Sequence, residues 1–221
     1  MKYVVVLGDG MADWPIEKLG GKTCLEYANT PNMDKLAPHA ELGLFRTVPK
    51  GFAPGSDVAN MSVMGFDPAK YYTGRSPLEA VAMGINLRDT DVTLRANLVT
   101  LAGGGSYEDM AMADYSAGEI TTEEAKELVG FLKEHFDNEK FTLYAGVSYR
   151  HCLVVKDGKT GHSLTPPHDI TGKPVRGHLP EGPLAGQYLA MMKESARLLK
   201  DHPINRARIA AGKRQIGRAH V

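Results

Sequence analysis

Apolar residues in the first part of the chain fall into short continuous runs and into stretches with helical spacing. Residues 3–7 (YVVVL) are a continuous, mostly β-branched run, which predicts a strand covered on both faces of a sheet. Residues 42–48 (LGLFRTV) predict a second strand, whereas residues 23–28 and 32–37 predict short helices. This alternation favours an α/β sheet.

Helical spacing returns in the stretch GFAPGSDVANMSVMG, residues 51–65, where apolar side chains follow Ser56. Asp67-Pro68 marks the end of this helix. Residues 77–83 (PLEAVAM) predict another helix, because proline stands in the first turn and a glycine follows the last residue. The sequence therefore predicts two consecutive helices, the first of which starts next to Ser56.

From about residue 93 the pattern changes to that of a small α+β unit. Residues 94–101 (LRANLVTL) and 141–156 predict strands, and the second run is long enough for a hairpin. Residues 121–136 begin with TTEE and continue with a 3.6-residue apolar period, which predicts an amphipathic helix. Residues 157–185, rich in Gly, Pro and His, predict a loop, and residues 184–199 predict a further amphipathic helix.

The chain has 221 residues, of which 43% are apolar and 24% charged, as in ordinary soluble globular proteins. Lys plus Arg and Asp plus Glu both number 26, and this balance argues against nucleic-acid binding. No apolar run has the length of about 18 residues that a membrane span needs. Cys24 and Cys152 form no CxxC pattern and are interpreted as small core residues. We expect a cytoplasmic protein with reduced thiols and with neither nucleic-acid nor membrane partners.

Asp9 stands between Gly8 and Gly10, at the predicted carboxyl end of the first strand, where open α/β sheets bind their ligands. The flanking glycines allow a tight turn that keeps the carboxylate accessible, and carboxylate oxygens suit hard divalent cations. The alternative is a plain Asp-Gly turn, and the spacing leaves both open. A dinucleotide fingerprint fits less well, because Asp13 stands where GxGxxG requires its third glycine.

Ser56 could be a helix cap or a nucleophile. Serine is a preferred residue at the start of a helix. A serine hydroxyl is a poor nucleophile at neutral pH unless a base or a metal activates it, and no histidine lies within twenty residues downstream. A metal would therefore have to lower the pKa of the hydroxyl, with Asp9 as the available partial site. Both roles are compatible, because a helix N-terminus also binds phosphate.

Four further residues could contact a small-molecule substrate. Arg150 and His151 fall at a predicted strand or hairpin edge, and His168 and Asp169 fall in the predicted loop. An arginine can hold a carboxylate or a phosphate in a bidentate fork, and a neighbouring His and Asp can contact substrate hydroxyls. The alternative for each is a structural turn or a surface ion pair.

Nine ordered segments carry a resemblance to a known family: VVVLGDGMAD, NTPNMDKLA, GSDVANMSVMGFDP, YYTGRSPLEA, LRANLVTL, YSAGEITTEEA, YRHCLVV, PPHDITGK and DHPINRARIAAGK. Together they resemble the archaeal-type, cofactor-independent (2,3-bisphosphoglycerate-independent) phosphoglycerate mutases of the alkaline-phosphatase superfamily. The similarity runs from residue 1 to about residue 215. It is specific, because it rests on many segments in order rather than on one short pattern.

The resemblance implies an α/β fold, with a truncated alkaline-phosphatase-like core and an inserted, smaller α+β domain. The core would comprise residues 1–90 and resume at 185–215, and the inserted domain that caps the substrate would span 91–184. Residues 216–221 (IGRAHV) match one reading frame of a common sequencing adapter, so we expect the natural sequence to end near Gln215. Family members continue well beyond this point, which implies an N-terminal fragment.

The same resemblance implies an isomerase of glycolysis and gluconeogenesis that interconverts 3-phosphoglycerate and 2-phosphoglycerate through a phosphoserine. Asp9 matches the family's N-terminal metal ligand, and Ser56 matches its serine nucleophile, which also ligates metal. The implied cofactors are two divalent ions, Mn²⁺ or Mg²⁺, without 2,3-bisphosphoglycerate. The family's other metal ligands lie in its C-terminal half, so we expect the 221-residue chain to be inactive by itself. The alternative is a homoserine kinase-like phosphotransferase of the same superfamily.

Overall fold

The computed structural model describes residues 1–8 and 10–216 and the backbone of residues 218–220. The chain divides into two units, Met1–Lys50 and Gly51–Val221. Asp9, the predicted metal ligand, lies outside the described residues. None of the described helices combines the length and the apolar composition that crossing a bilayer requires.

The first unit is built from short helices and irregular segments. Helix α1, Cys24–Tyr27, begins with a reciprocal capping box. Helix α2, Pro31–Leu36, begins with a proline, whose fixed φ and missing N–H suit the first helical position. Two 3₁₀ turns are Glu17–Leu19 and Ala37–His39. The helices confirm the two predictions for this part of the chain.

The predicted strand at residues 3–7 is wrong. These residues form no strand, and their side chains are between 50% and 89% exposed. The second predicted strand, residues 42–48, is also irregular and largely exposed. A strand requires a neighbour that bonds its backbone N–H and C=O groups, and no described residue of the first unit pairs with either segment. Cys24, interpreted as a core residue, is exposed as well.

Three short helices open the second unit: α3 (Ser56–Val63), α4 (Pro68–Tyr71) and α5 (Arg75–Ala82). Asp67 follows α3, as predicted, but it also starts α4, because its carboxylate accepts the backbone N–H of Ala69. Helix α5 begins earlier than the predicted proline. The two predicted helices are confirmed, and α4 is an additional turn between them.

A five-stranded antiparallel sheet follows, with strands β1 (Val92–Ala102), β2 (Ala111–Asp114), β3 (Phe141–Val147), β4 (Arg150–Val155) and β5 (Arg218–His220). The strand order is β2-β1-β4-β3, and β5, which lies within the adapter-like residues 216–221, pairs with β1 as well. In the β1–β4 ladder, Asn97 lies opposite Arg150 and Arg95 lies opposite Cys152. Since opposite residues share a face and side chains alternate along a strand, these four side chains lie on one face of the sheet.

The second unit also contains helices α6 (Thr122–Phe136), α7 (Ala185–Lys200) and α8 (Pro203–Ala210). Three 3₁₀ turns lie at Tyr107–Asp109, Pro167–Ile170 and Val175–His178. Thr121 caps α6 by accepting the N–H of Glu124. Fully buried side chains from β1, β4, α6 and α7 share one hydrophobic core, among them Leu98, Leu153, Leu128, Leu132, Tyr188 and Met192. The α+β pattern predicted from residue 93 onward is confirmed, while the domain boundaries at 90 and 184 stay predictions.

Candidate active site

Helix α3 starts at Ser56, and the serine hydroxyl does not cap the helix. The cap position belongs to Gly55, whose backbone is extended, and no side chain forms a cap hydrogen bond at this helix end. A Cβ atom at Gly55 would collide with the Asp57 carboxylate, which favours glycine there. Ser56 itself is exposed. The helix-cap interpretation is therefore wrong, and the hydroxyl is available for another role.

Ser56 lines a cleft of about 470 Å³, here called the Ser56 cleft. Apolar side chains from α3, α5 and the segment after α3 form most of its wall: Met61, Met64, Phe66, Leu78 and Ala82. The polar side chains that join Ser56 are Asp57, Asn60, Arg75 and Glu79. An apolar cleft with a few convergent polar groups is the usual form of a small-molecule site.

The carboxylate of Asp57 accepts a hydrogen bond from the Tyr72 hydroxyl. Partial burial raises the pKa of Asp57, but this bond, backbone N–H groups and the charge of Arg75 together hold that pKa below its usual range. Burial, followed by the bond to Asp57, raises the pKa of Tyr72 to about 12. Asp57 is therefore ionised at neutral pH, and its low pKa makes it a poor proton acceptor for Ser56.

Glu79 on α5 joins two arginines. Its Oε1 lies 2.8 Å from Arg75 Nε, and its Oε2 lies 3.0 Å from Arg95 Nε on β1. The pair with Arg75 lies within α5, and the pair with Arg95 connects this helix, which lines the Ser56 cleft, with β1. Because Asp57 also interacts with the charge of Arg75, two carboxylates balance the two guanidinium groups, which keep further N–H donors for an anionic ligand.

Arg150 and His151 line a second cleft of about 260 Å³, the His151 cleft, which shares Glu79 and Ala82 with the Ser56 cleft. His151 is only 3% exposed, and its Nδ1 accepts the N–H of Gly146 at 3.1 Å. Its Nε2 has no hydrogen-bond partner among the described residues. Burial lowers the pKa of His151 to about 4, so the ring is neutral near pH 7 and carries its proton on Nε2.

His168 and Asp169 lie in an exposed 3₁₀ turn, with His168 Nε2 3.4 Å from Asp169 Oδ1. The His168 ring meets Tyr115 edge-on at a centroid distance of 6.1 Å. Tyr115 in turn meets Tyr149 at 5.9 Å, and the Arg150 guanidinium lies 5.4 Å from the Tyr149 ring centroid. This row of aromatic contacts connects the turn with the His151 cleft.

A sequence model of one protein family matches residues 37–205, a range that contains every element from α3 to α7. That family is the 2,3-bisphosphoglycerate-independent phosphoglycerate mutases. The chain belongs to this family.

Curated relatives carry the name of the phosphoglycerate mutase family. The 2,3-bisphosphoglycerate-independent phosphoglycerate mutase of Methanosarcina barkeri is 50% identical over 214 residues, which are 96% of this chain and 52% of that protein. The probable mutase of Geobacter sulfurreducens is 49% identical over 213 residues, 96% of this chain and 53% of that protein. The chain thus spans about half the length of the curated relatives it matches.

Two solved structures are similar to this chain. A protein from Pyrococcus horikoshii has a TM-score of 0.70 and 29% identity, over 96% of this chain and 48% of that one. The cofactor-independent phosphoglycerate mutase of Thermoplasma acidophilum has a TM-score of 0.57 and 28% identity, over 96% of this chain and 56% of that one. The mixed α and β fold is therefore shared with a mutase of known structure.

Ser56 lines one cleft, and Arg150 and His151 line a neighbouring cleft that shares the Glu79 side chain. Residues 168–169 lie apart on their own exposed turn. The structure thus brings three of the predicted site residues to adjoining clefts. Their roles in binding or catalysis stay predictions.

Sequence reasoning missed Glu79, Asp57 and Tyr72. Arg75 and Glu79 are four residues apart, a spacing that allows an ion pair on a helix, but the predicted helix began only at Pro77. Nothing in that spacing indicated that Glu79 also pairs with Arg95 on β1. The bond between Asp57 and Tyr72 joins two helix ends across a loop, and no periodicity predicts such a contact.

A metal site is only partly represented in the described residues. No three His, Cys, Asp or Glu side chains among them come together as a metal-binding group, and Asp9 lies outside the described part. The described donors by themselves do not form the two-metal site that the family resemblance implies. We therefore assign no chemical step to a metal.

Proposed function

We propose that this chain carries the phosphate-accepting serine of a cofactor-independent phosphoglycerate mutase, which interconverts 3-phosphoglycerate and 2-phosphoglycerate. The observation that carries the proposal is the position of Ser56, exposed in the first turn of α3 and lining a cleft with Arg75. A helix N-terminus and a guanidinium group both favour a phosphate. Family membership and the names of the relatives support the same activity.

The proposed reaction consists of two phosphoryl transfers. Ser56 Oγ loses its proton and attacks the phosphorus of 3-phosphoglycerate, the bond from phosphorus to the C3 oxygen breaks, and that oxygen takes up a proton. The bound glycerate then turns, and its 2-hydroxyl oxygen gives up its proton and attacks the phosphorus of the phosphoserine. The bond from phosphorus to Ser56 Oγ breaks and Oγ takes up a proton, which gives 2-phosphoglycerate and free Ser56. The phosphate never leaves the site, so no 2,3-bisphosphoglycerate is needed.

Arg150, His151, His168 and Asp169 are proposed to hold the substrate. Arg150 offers a planar fork that matches a phosphate or carboxylate. His151 offers the Nε2–H of a neutral ring, a donor that adds no charge to the cleft. The aromatic row supports a common role for Arg150 and the His168 turn.

For the whole protein we also propose the alkaline-phosphatase-like core and two divalent ions, Mn²⁺ or Mg²⁺. Asp9 and Ser56 are the proposed ligands, because carboxylate and hydroxyl oxygens suit such hard ions. The other ligands would come from sequence outside the described residues. We expect the chain alone to be inactive, because it spans about half the length of its relatives.

The test joins this chain to the remaining half of the Methanosarcina barkeri relative and assays the chimera with 3-phosphoglycerate and Mn²⁺. We expect turnover, and phosphoserine at residue 56 by mass spectrometry. Ser56→Ala should lower kcat by on the order of a thousandfold or more, because the covalent step is lost. Ser62→Ala on the same helix is the matched control and should leave kcat nearly unchanged.

Turnover by the Ser56→Ala chimera at the wild-type rate would show that Ser56 is not the acceptor. Incubation with homoserine and ATP is the second arm of the assay. Phosphohomoserine formation without mutase turnover would replace the proposed function with the kinase-like alternative.

A further inference from the structure

A small cavity of about 110 Å³ lies between β1 and the loop before the His168 turn; it shares no lining residue with the two clefts described above and is joined to them by the Arg95–Glu79 ion pair. It is here called the Asn97 cavity, and its lining residues are Arg95, Asn97, Leu164, Thr165, Pro166 and Pro167. A water molecule needs roughly 10–15 Å³ of such space. The Asn97 cavity therefore has room for a ligand of several heavy atoms.

Two polar groups of the Asn97 cavity lack hydrogen-bond partners. Asn97 is only 3% exposed, and its side-chain Oδ1 has no donor among the described residues. The Nε of Arg95 forms an ion pair with Glu79 by distance, but its N–H is not aimed at that carboxylate and has no acceptor among the described residues. Buried polar groups are almost always bonded, so an unpaired acceptor and an unpaired donor in the lining of one cavity are positions for a bound ligand or water.

Charge and register restrict the chemistry of that ligand. Arg95 and Asn97 are two residues apart on β1, so their side chains lie on the same face of the sheet. Arg150 lies opposite Asn97, and its side chain is on that face too. Glu79 divides its single charge between Arg75 and Arg95, which leaves the guanidinium of Arg95 able to bind an anion. Asn97 Oδ1, by contrast, can only accept and would repel a second anionic oxygen.

We propose that the Asn97 cavity binds a 2-hydroxycarboxylate, with the carboxylate on Arg95 and the adjacent hydroxyl donating to Asn97 Oδ1. The carboxylate of such a ligand accepts from Arg95, and the hydroxyl on the neighbouring carbon donates to Asn97. This inference rests on the proposed function, because the glycerate part of phosphoglycerate is such an acid. It assigns recognition of the unreacting end of the substrate to Arg95 and Asn97.

The test uses the chain as it is, labelled with ¹⁵N and titrated with D-glycerate, L-lactate, propionate and inorganic phosphate. The NMR signals of the Asn97 side-chain amide and of Arg95 Nε–H report on the cavity. We expect glycerate and lactate to shift both signals, and propionate, which lacks the 2-hydroxyl, to bind about tenfold more weakly. Equal affinity for propionate and glycerate, or shifts by phosphate alone, would overturn the proposal.

Three variants separate binding from folding. Arg95→Met and Asn97→Leu should each weaken glycerate binding about tenfold or more. Asn97→Leu should also leave the melting temperature unchanged or raise it, because it removes a buried polar group without a partner. Arg176→Met, which changes an exposed arginine paired with Asp109 outside the cavity, is the matched control and should bind glycerate normally.

A lowered melting temperature for Asn97→Leu with unchanged glycerate binding would assign Asn97 a purely structural role and end the proposal. None of these measurements needs Ser56 to react. Mutase turnover in the chimera together with glycerate binding that ignores Arg95 and Asn97 would refute this inference alone. Glycerate binding in the Asn97 cavity without turnover would instead count against the proposed function.

Discussion

At the residue scale, burial and a backbone hydrogen bond at His151 make the stability of the fold depend on pH. Its Nδ1 accepts a backbone N–H, which favours the neutral ring, and burial lowers its pKa to about 4, whereas an unfolded histidine has a pKa of 6.5. The unfolded chain therefore binds a proton between pH 6.5 and 4 that the folded chain does not. Stability is full above pH 6.5 and falls as the pH drops toward 4.

Because folding lowers the pKa of His151 from 6.5 to about 4, we expect the free energy of unfolding to fall by on the order of 3 kcal/mol as the pH drops from 6.5 to 4. His151→Asn can still accept the N–H of Gly146 but does not titrate, so this part of the pH dependence should disappear. Urea unfolding at several pH values measures the change. His178→Asn controls for replacing a histidine as such, and an unchanged slope in His151→Asn would contradict the prediction.

The bond from Tyr72 to Asp57 gives a second prediction. Tyr72→Phe removes a donor that lowers the pKa of Asp57, so this pKa should rise toward its usual range and stability at pH 7 should fall by about 1 kcal/mol. Because a lowered carboxyl pKa stabilises the fold only while the group is ionised, this loss should shrink as the pH falls through the pKa of Asp57.

Carboxyl NMR titration and urea midpoints measure these two effects. Tyr71→Phe is the matched control, since Tyr71 packs edge-on against Phe66. Equal losses of stability in the two variants would mean that the hydroxyl of Tyr72 contributes nothing specific.

At the element scale, the β3–β4 hairpin fixes the position of the His151 cleft. Its register shifts between Tyr144 and Val147, and Gly146 lies in this bulge. The turn residue Ser148 has a positive φ of 53°. Its backbone N–H donates to Thr122 Oγ1 and its hydroxyl donates to the Ile120 carbonyl, which ties the turn to the start of α6.

Two glycine substitutions should have opposite effects. A Cβ atom on Gly146 would collide with the backbone carbonyl of Arg150, so we expect Gly146→Ala to destabilise the chain by about 2 kcal/mol and to disturb Arg150 and His151. Gly130 lies within α6, with nothing near the added atom, so Gly130→Ala should stabilise by about 0.5–1 kcal/mol. Thermal unfolding of the two variants measures these effects. If Gly146→Ala stabilised the chain as Gly130→Ala does, the predicted collision with the Arg150 carbonyl would be wrong.

The predicted strands that the structure contains have their partner strands within the same unit of the chain. Residues 94–101 and 141–156 pair with each other, and helix 121–136 covers them, so period and composition agree with the fold. Residues 3–7 have an equally clear strand pattern, but pairing is a tertiary property that the pattern cannot supply. The four-residue strand β2 was missed because it is too short to show a period.

The site residues were also predictable only where no contact with a distant part of the chain was involved. Ser56 was identifiable because a serine beside a predicted helix start has few roles, and the resemblance to a family narrowed them. Glu79 was not, because its significance depends on Arg95, which the fold brings from the next element. Likewise, only burial distinguishes Asn97 from any other polar residue in a strand.

At the scale of the whole molecule, apolar exposure is distributed unevenly. Among the described residues, all but three of the exposed large hydrophobic side chains precede residue 90. The three exceptions are Tyr115, Val147 and Ile209. Because contiguous exposed apolar surface favours association, we expect the part of the chain before residue 90 to be the more prone to it.

Residues 3–7 form the most concentrated part of this surface, with strong β propensity and no charge, so we expect them to drive self-association. Val6→Lys should reduce light scattering at a fixed protein concentration without lowering the melting temperature, because Val6 is 89% exposed. Ile209→Lys places the same charge at another exposed apolar position and is the matched control. An equal reduction in both variants would show that added charge, not this segment, is responsible.

The order of strands along the chain also has a consequence for biosynthesis. Strand β1 ends at Ala102, whereas its partner β4 begins only at Arg150. During N-to-C synthesis β1 therefore leaves the ribosome before β4 has been made. Until then the nascent chain presents the backbone N–H and C=O groups on that side of β1 without their partner strand, as an edge that can pair with another chain.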